Sequence, residues 1–255
     1  MINANASIVI ITVHRGPLKF LKQTLKSIDN QLIEPHHNIV IAKDIGLYQI
    51  QGLKKKNRSF IINKDTSIYN AMNIALQHKI IKNNFIIFLN SGDYFFNKRV
   101  IFNIKKYFSI TKVLIGKQVL KSNNTTFHIK DYFYFKKTFL PHGSFIINSS
   151  LVISSIKKIL FDEKRLIDSD GLWMNKIIRK ARYQLSKLNL DISILSLGGI
   201  STNPTINTVM IYYRINLFLF FKESLKLIIF FFFSKNIYYK IIYFYKYDLK
   251  FFKYK

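Results

Sequence analysis

Four short apolar runs, separated by segments with a different rhythm, restrict the folds open to this chain more than any other feature. They are "SIVIITV" (Ser7 to Val13), "NIVIA" (Asn38 to Ala42), "SFII" (Ser59 to Ile62) and "NFIIFLN" (Asn84 to Asn90). The runs are rich in β-branched and aromatic residues and lack a polar alternation, the pattern of strands covered on both faces in a parallel sheet. Between the first two, Pro17 suits the first turn of a helix, and Leu18, Leu21, Leu25 and Ile28 repeat on one helical face. Between the last two, Ile68, Ala71, Met72, Ala75 and Leu76 keep the same spacing, with Asp65, Thr66 and Ser67 as cap candidates. The order strand, helix, strand, strand, helix, strand predicts an α/β fold with a mostly parallel central sheet.

The rest of the chain is more mixed. "KVLIGKQVL" alternates like a strand, "FHIKDYFYF" is a candidate partner for it, and "SFIIN" and "ISILSLGGIS" are strand-like, while "DGLWMNKIIRKARY" is helical. From Thr208 the composition turns aromatic, aliphatic and lysine-rich, which divides the chain into a main domain over 1–207 and a helical tail over 208–255. Arg214, Lys222, Glu223 and Lys226 interrupt that tail too often for a membrane span of ~20 apolar residues. Lysines between aromatic rings suit the lipid–water boundary, and they suit a helical pair packed on the domain equally well. The N-terminal stretch lacks the basic start of a signal peptide, so a cytoplasmic location is expected.

The 255 residues carry a formal net charge of +27 and no cysteine. Structural disulfides and thiolate metal sites are therefore excluded. The charge points to anionic surroundings: nucleic acid, an anionic membrane or a nucleotide. Arginine, the better reader of bases and phosphates, is scarce beside lysine, and no zinc-finger, helix-turn-helix or RNP-like sequence is present. No nucleic-acid partner is expected on those grounds.

The run "IIFLNSGDYFF" ends its strand in Asn90, Ser91, Gly92 and Asp93 before turning aromatic again. This tetrapeptide is good turn chemistry. It also places a lone carboxylate just beyond the carboxyl end of a strand, where open α/β sheets bind ligands and where a hard cation can be held with help from ligand phosphates. Taken in order, "SIVIITVHRG", "D-x-x-I-Y-N-A-M-N-x-A", "FLNSGD", "LPHGSFI", "FDEKRLIDSDGLWM" and "LGGIST" resemble the family 2 glycosyltransferases with the GT-A (Rossmann-like) fold. The likeness is greatest to the branch that builds colanic acid, O-antigen and other bacterial exopolysaccharides, and it runs from Ser7 to about Asn203.

The resemblance implies an inverting transferase. It would move a sugar from a nucleotide-sugar donor to a polyprenyl-phosphate-linked glycan at the inner face of the cell membrane, with the tail on the anionic membrane surface. It implies Mg²⁺ or Mn²⁺, with Asp93 at the last acidic position of the family's metal motif and Asn90 at the first. It makes Asp170 the catalytic base, leaving Asp168 as a helix-cap candidate, and it makes Thr12, Asp65, Asn90, Ser91 and His142 donor-binding residues. Some positions depart from the family pattern. Ala42 stands where relatives carry a nucleoside-binding Asp, with Asp44 two residues later, Ser67 replaces a usual Gly, and Gly143 replaces a usual Gln. A basic nucleic-acid-binding protein and a degenerate transferase acting as a membrane scaffold are the competing readings.

Overall fold

The structure is a computed structural model. It describes residues 7–43, 45–62, 67–122, 125–128, 142–153, 158–165, 169–197, 206, 209–210, 213, 217–234, 237–239 and 241. The chain forms two compact units, one of Met1–Val119 with Lys130–Leu195 and one of Leu120–Ile129 with Ser196–Lys255.

The first unit is built on a mixed sheet. Its strands are β1 (Ile8–His14), β2 (His37–Ala42), β3 (Arg58–Ile62), β4 (Phe85–Phe88), β5 (Tyr94–Phe95), β6 (Val113–Ser122), β8 (Phe145–Asn148) and β9 (Leu185–Ser196), in the order β3-β2-β1-β4-β8-β6-β9-β5. Strand β7 (Thr125–His128), which pairs with β6, belongs to the second unit, as do the last three residues of β6. The four runs singled out in the sequence are β1 to β4, and they pair in parallel. Strand β8 is antiparallel to both β4 and β6, and β5 is antiparallel to β9.

All seven residues of β1 are buried, because the sheet is covered on both faces. Val9, Ile11 and Val13 point into one core with Ala71, Met72 and Ala75 of α3 (Ile68–Leu76) and Trp173, Met174 and Ile177 of α5 (Ser169–Ala181). Ile8 and Ile10 point into the other core, with Leu21, Leu25 and Ile28 of α1 (Leu18–Asp29) and Val100, Ile101 and Ile104 of α4 (Val100–Lys105). Alternate residues of a strand face opposite sides, so a strand between two cores must be apolar throughout. A short helix, α2 (Leu47–Gln51), follows β2. Pro17 sits one residue outside α1 as its N-cap, and Ser67 caps α3 by accepting a hydrogen bond from the Asn70 amide at 3.0 Å. Gly116 lets β6 approach β9, since a Cβ there would stand 2.1 Å from Ile192 Cγ1.

In the second unit, α6 (Leu217–Phe232) is a 16-residue helix. Tyr238 and Tyr239 are buried, and the Phe230 ring meets Tyr238 edge-on with centroids 5.0 Å apart. Among the described residues no helix is long and apolar enough to cross a membrane.

Candidate active site

Beyond Phe88 the chain keeps its place beside β1. The Leu89 amide donates to the Ile11 carbonyl at 2.9 Å and the Ser91 amide to the Val13 carbonyl at 3.0 Å. It then turns, with the Asp93 amide donating back to Asn90 at 2.9 Å and Gly92 at φ +100°. That backbone conformation strains any L side chain, so the turn needs glycine there. Thr24, fully buried on α1, pins the turn from below. Its hydroxyl donates to the Asp93 carbonyl at 2.6 Å and accepts from the Gly92 amide at 2.9 Å. The turn and ligand readings of this tetrapeptide are therefore compatible, because the turn holds the Asp93 carboxylate at the carboxyl end of β4.

His142 opens a 3-10 turn (His142–Ser144) that leads into β8, the antiparallel neighbour of β4. This connection carries the imidazole to the end of β4. Its Nε2 lies 3.1 Å from Asn90 Nδ2 and 3.8 Å from Asp93 Oδ2, and its Nδ1 lies 3.5 Å from Asp170 Oδ2. In the neutral tautomer Nδ1–H faces Asp170, and Nε2 accepts from Asn90. Asn90 Oδ1 is then buried without a hydrogen-bond partner. When His142 is protonated, Nε2 becomes a donor and the Asn90 amide must turn its oxygen toward it. Burial pushes the His142 pKa down, but the hydrogen bond to Asp170 and the charges of Asp170 and Asp93 outweigh it and raise the value above normal.

Asp170 lies in the first turn of α5, and Tyr69 Oη donates to its Oδ1 at 3.4 Å. Burial pushes the Asp170 pKa up. The hydrogen bond and charge of His142, with the backbone amides of Gly171 and Asp170, more than reverse that effect, so the carboxylate is ionised at neutral pH. Its helix is fixed by a clamp between two of the segments singled out in the sequence. Asn73 Nδ2 donates to the Phe161 carbonyl at 3.0 Å and to Glu163 Oε1 at 2.7 Å, and Asn73 Oδ1 accepts from the Phe161 amide at 2.9 Å. Asn70 Nδ2 donates to Glu163 Oε2 at 2.9 Å. The Asp162 amide then donates to the buried Ser169 hydroxyl at 2.7 Å, and Trp173 stacks on Phe161 with centroids 4.4 Å apart.

The structure thus brings together Asn90, Asp93, His142 and Asp170. Ser91 lies beside them and shares a 2.9 Å hydrogen bond with His14 Nδ1, and burial lowers the His14 pKa. Thr12 is fully buried, with its hydroxyl accepting from Asn38 Nδ2 at 3.2 Å. Ala42 is also fully buried, as part of the α1-side core. Asp44, Asp65 and Asp168 lie outside the described residues. At Gly143 a Cβ would stand 2.8 Å from Gln118 Nε2 and 2.9 Å from Ser193 Oγ, so the buried Gln118 amide fills the space that a larger residue there would need.

Sequence reasoning missed the supporting residues Thr24, Tyr69, Asn73 and Glu163. Asn70 and Asn73, three apart and so on one helical face, were the available signal.

Among the described residues no group of three or more His, Asp or Glu side chains is arranged to hold a metal by itself. The donor set still fits Mg²⁺ or Mn²⁺ shared with a diphosphate. Such ions are commonly held by one or two carboxylates plus substrate phosphates, and here the Asp93 carboxylate stands in one turn with the unpartnered Asn90 oxygen.

No family model matches the sequence, and no curated protein matches it. Solved structures do match. Residues 1–349 of S. aureus TarS in complex with UDP align with 75% of this chain and 61% of that chain, at 17% identity and a TM-score of 0.61. The same protein in complex with UDP-GlcNAc aligns with 76% and 59%, at 17% identity and a TM-score of 0.63. The fold is the Rossmann-like α/β fold of the GT-A glycosyltransferases. This chain spans about three fifths of the length of those TarS structures.

Proposed function

We propose that this chain is an inverting glycosyltransferase that takes its sugar from a nucleotide-sugar donor. The observation that carries the reading is one imidazole, His142, set between Asp93 at the end of β4 and Asp170 at the start of α5. The UDP and UDP-GlcNAc complexes of TarS, on the same fold, support a donor of that class.

In this reading Asp93 and Asn90 would hold Mg²⁺ or Mn²⁺ together with the donor, and the cation would supply charge neutralisation for the leaving nucleoside diphosphate. The Asp170 side chain is 30% exposed, against 8% for Asp93, so it is the carboxylate open to an acceptor. Asp170 accepts the acceptor's hydroxyl proton as that oxygen bonds to the anomeric carbon and the bond to the diphosphate oxygen breaks, inverting the centre. His142 and Tyr69 hold the Asp170 carboxylate in place. Ser91 lines the donor side, and Asp65 is assigned there by its place in the motif.

The acceptor in this reading is a polyprenyl-phosphate-linked glycan of a surface polysaccharide, met at the cytoplasmic face of the membrane. The motif likeness to that branch of the family and the net charge of +27 support it.

The test is proton NMR of slow donor hydrolysis, run with a panel of nucleotide sugars and Mn²⁺. The expected result is release of the sugar with inverted anomeric configuration, slowed by about 10²-fold or more in Asp170→Asn. Retained configuration, or hydrolysis unchanged in that variant, refutes the assignment.

A further inference from the structure

Helix α6 has its polarity inside out. At ~100° per residue, Leu217, Phe221, Leu225, Ile228, Phe231 and Phe232 fall within an arc of about 120°. All six are between 58% and 81% exposed, except Ile228 at 53%. The charged residues within the helix lie on the other side. Glu223 is buried and paired with Lys226, and Lys222 is partly buried. Phe230 turns inward onto Tyr238. The ion pair is thus inside and the rings are outside.

A helix that hides its charges and shows its rings is made for an apolar neighbour. Its 16 residues extend ~24 Å, less than the ~30 Å hydrocarbon core of a bilayer, so it can lie along a membrane and not cross it. Charge selects the neighbour. Residues 233–255, which follow the helix, carry six lysines and one aspartate, and the chain as a whole carries +27. A second copy would bring the same positive charge to the contact, whereas an anionic lipid surface is complementary to it.

We propose that the outward face of α6 is a bilayer-docking surface. The helix lies flat at an anionic lipid surface, the six apolar side chains enter the headgroup–acyl boundary, and the Glu223–Lys226 pair faces away from the lipid. This deepens the membrane location given above and rests on it for its biological sense, but it makes no use of Asp93, His142 or Asp170.

The test is flotation of the full chain with phosphatidylcholine vesicles, with and without phosphatidylglycerol, beside Phe221→Glu/Ile228→Glu and Tyr183→Glu. Tyr183 is a fully exposed ring in the other unit and serves as control. The parent and Tyr183→Glu should float with anionic vesicles and release in high salt, while the double variant should bind about tenfold or more weakly, as expected for losing buried apolar side chains. Circular dichroism should show all three folded. If the double variant is misfolded, Phe232→Ser, at the most exposed position of the face, must show the loss. The proposal is overturned if the parent does not float or if the double variant or Phe232→Ser floats like the parent. It is also overturned if light scattering shows a parent dimer that the double variant dissolves while vesicle binding is absent. Nucleoside-diphosphate binding in solution, measured on the same proteins, separates the two claims: its absence with flotation intact refutes the transferase reading and leaves the docking surface standing.

Discussion

Replacing Asn73 by alanine should damage the proposed transfer reaction without touching the Asn90–Asp93 turn. Asn73 is buried on α3, and its amide meets both the amide and the carbonyl of Phe161 as well as the exposed Glu163 carboxylate. Alanine leaves the two Phe161 backbone groups buried without that side chain, at about 1–3 kcal/mol each, while the exposed Glu163 contact adds at most ~1 kcal/mol. A loss of roughly 2–4 kcal/mol follows, allowing for partial relaxation, which an ordinary domain survives. Because the Phe161–Glu163 segment leads into α5, the same change loosens Asp170. Urea denaturation should report the stability loss, and steady-state turnover should fall while nucleoside-diphosphate affinity stays at the parent level. Asn73→Asp should be worse, since it faces a carboxylate with a carboxylate. Adding Glu163→Gln should recover part of the loss by exchanging donor and acceptor, with a coupling of roughly 1 kcal/mol in the double-mutant cycle. Stability of Asn73→Ala within about 0.5 kcal/mol of the parent, the spread of an ordinary surface change, would refute the clamp.

Gly92→Ala should cost ~1–2 kcal/mol through left-handed backbone strain alone, because the nearest side-chain atom to a Cβ there is 3.9 Å away. Metal-dependent nucleotide binding should weaken with it, and a thermal melt plus titration checks both. The His142–Asp170 pair should make stability depend on pH. The raised His142 pKa gives a contribution that is full below the ordinary 6.5 and lost as pH climbs through the higher folded value. The lowered Asp170 pKa gives one that is present above the ordinary 3.8 and lost as pH falls through the lower folded value. The stability difference between parent and His142→Gln should therefore be largest between about pH 4 and 6.5 and shrink on either side. Urea midpoints across that range test it, and a flat difference contradicts the pairing.

The parallel half of the sheet was legible because a strand buried on both faces leaves no polar position to confuse its reading: β1 to β4 fall where the apolar runs are. Helix α3 was legible from its spacing and its Ser67 cap. The two-residue strand β5 and the one-and-a-half-turn helix α4 were not, since each exists by virtue of its partners. Strand β9 begins at Leu185, well before the apolar "ISILS" that marked it, because its first half alternates exposed Lys187 and Asn189 with buried or half-buried neighbours. The candidate site divides in the same way. Asp93, Asn90, His142 and Asp170 were named from their motifs. Their supports were not, because Asn73 and Phe161 are 88 residues apart and Thr24 reaches a turn 69 residues away. Local periodicity carries no information about such pairs.

Calorimetric titration of a nucleoside diphosphate into the parent, Asp93→Asn and Asp170→Asn, each with and without Mn²⁺, tests the central claim most directly. The parent should bind far more tightly with Mn²⁺ than without it. Asp93→Asn should lose that difference, and Asp170→Asn, which removes only the proposed base, should keep it. Equal affinities in all three proteins, or a metal effect that survives in Asp93→Asn and disappears in Asp170→Asn, would contradict the assignment of the two carboxylates.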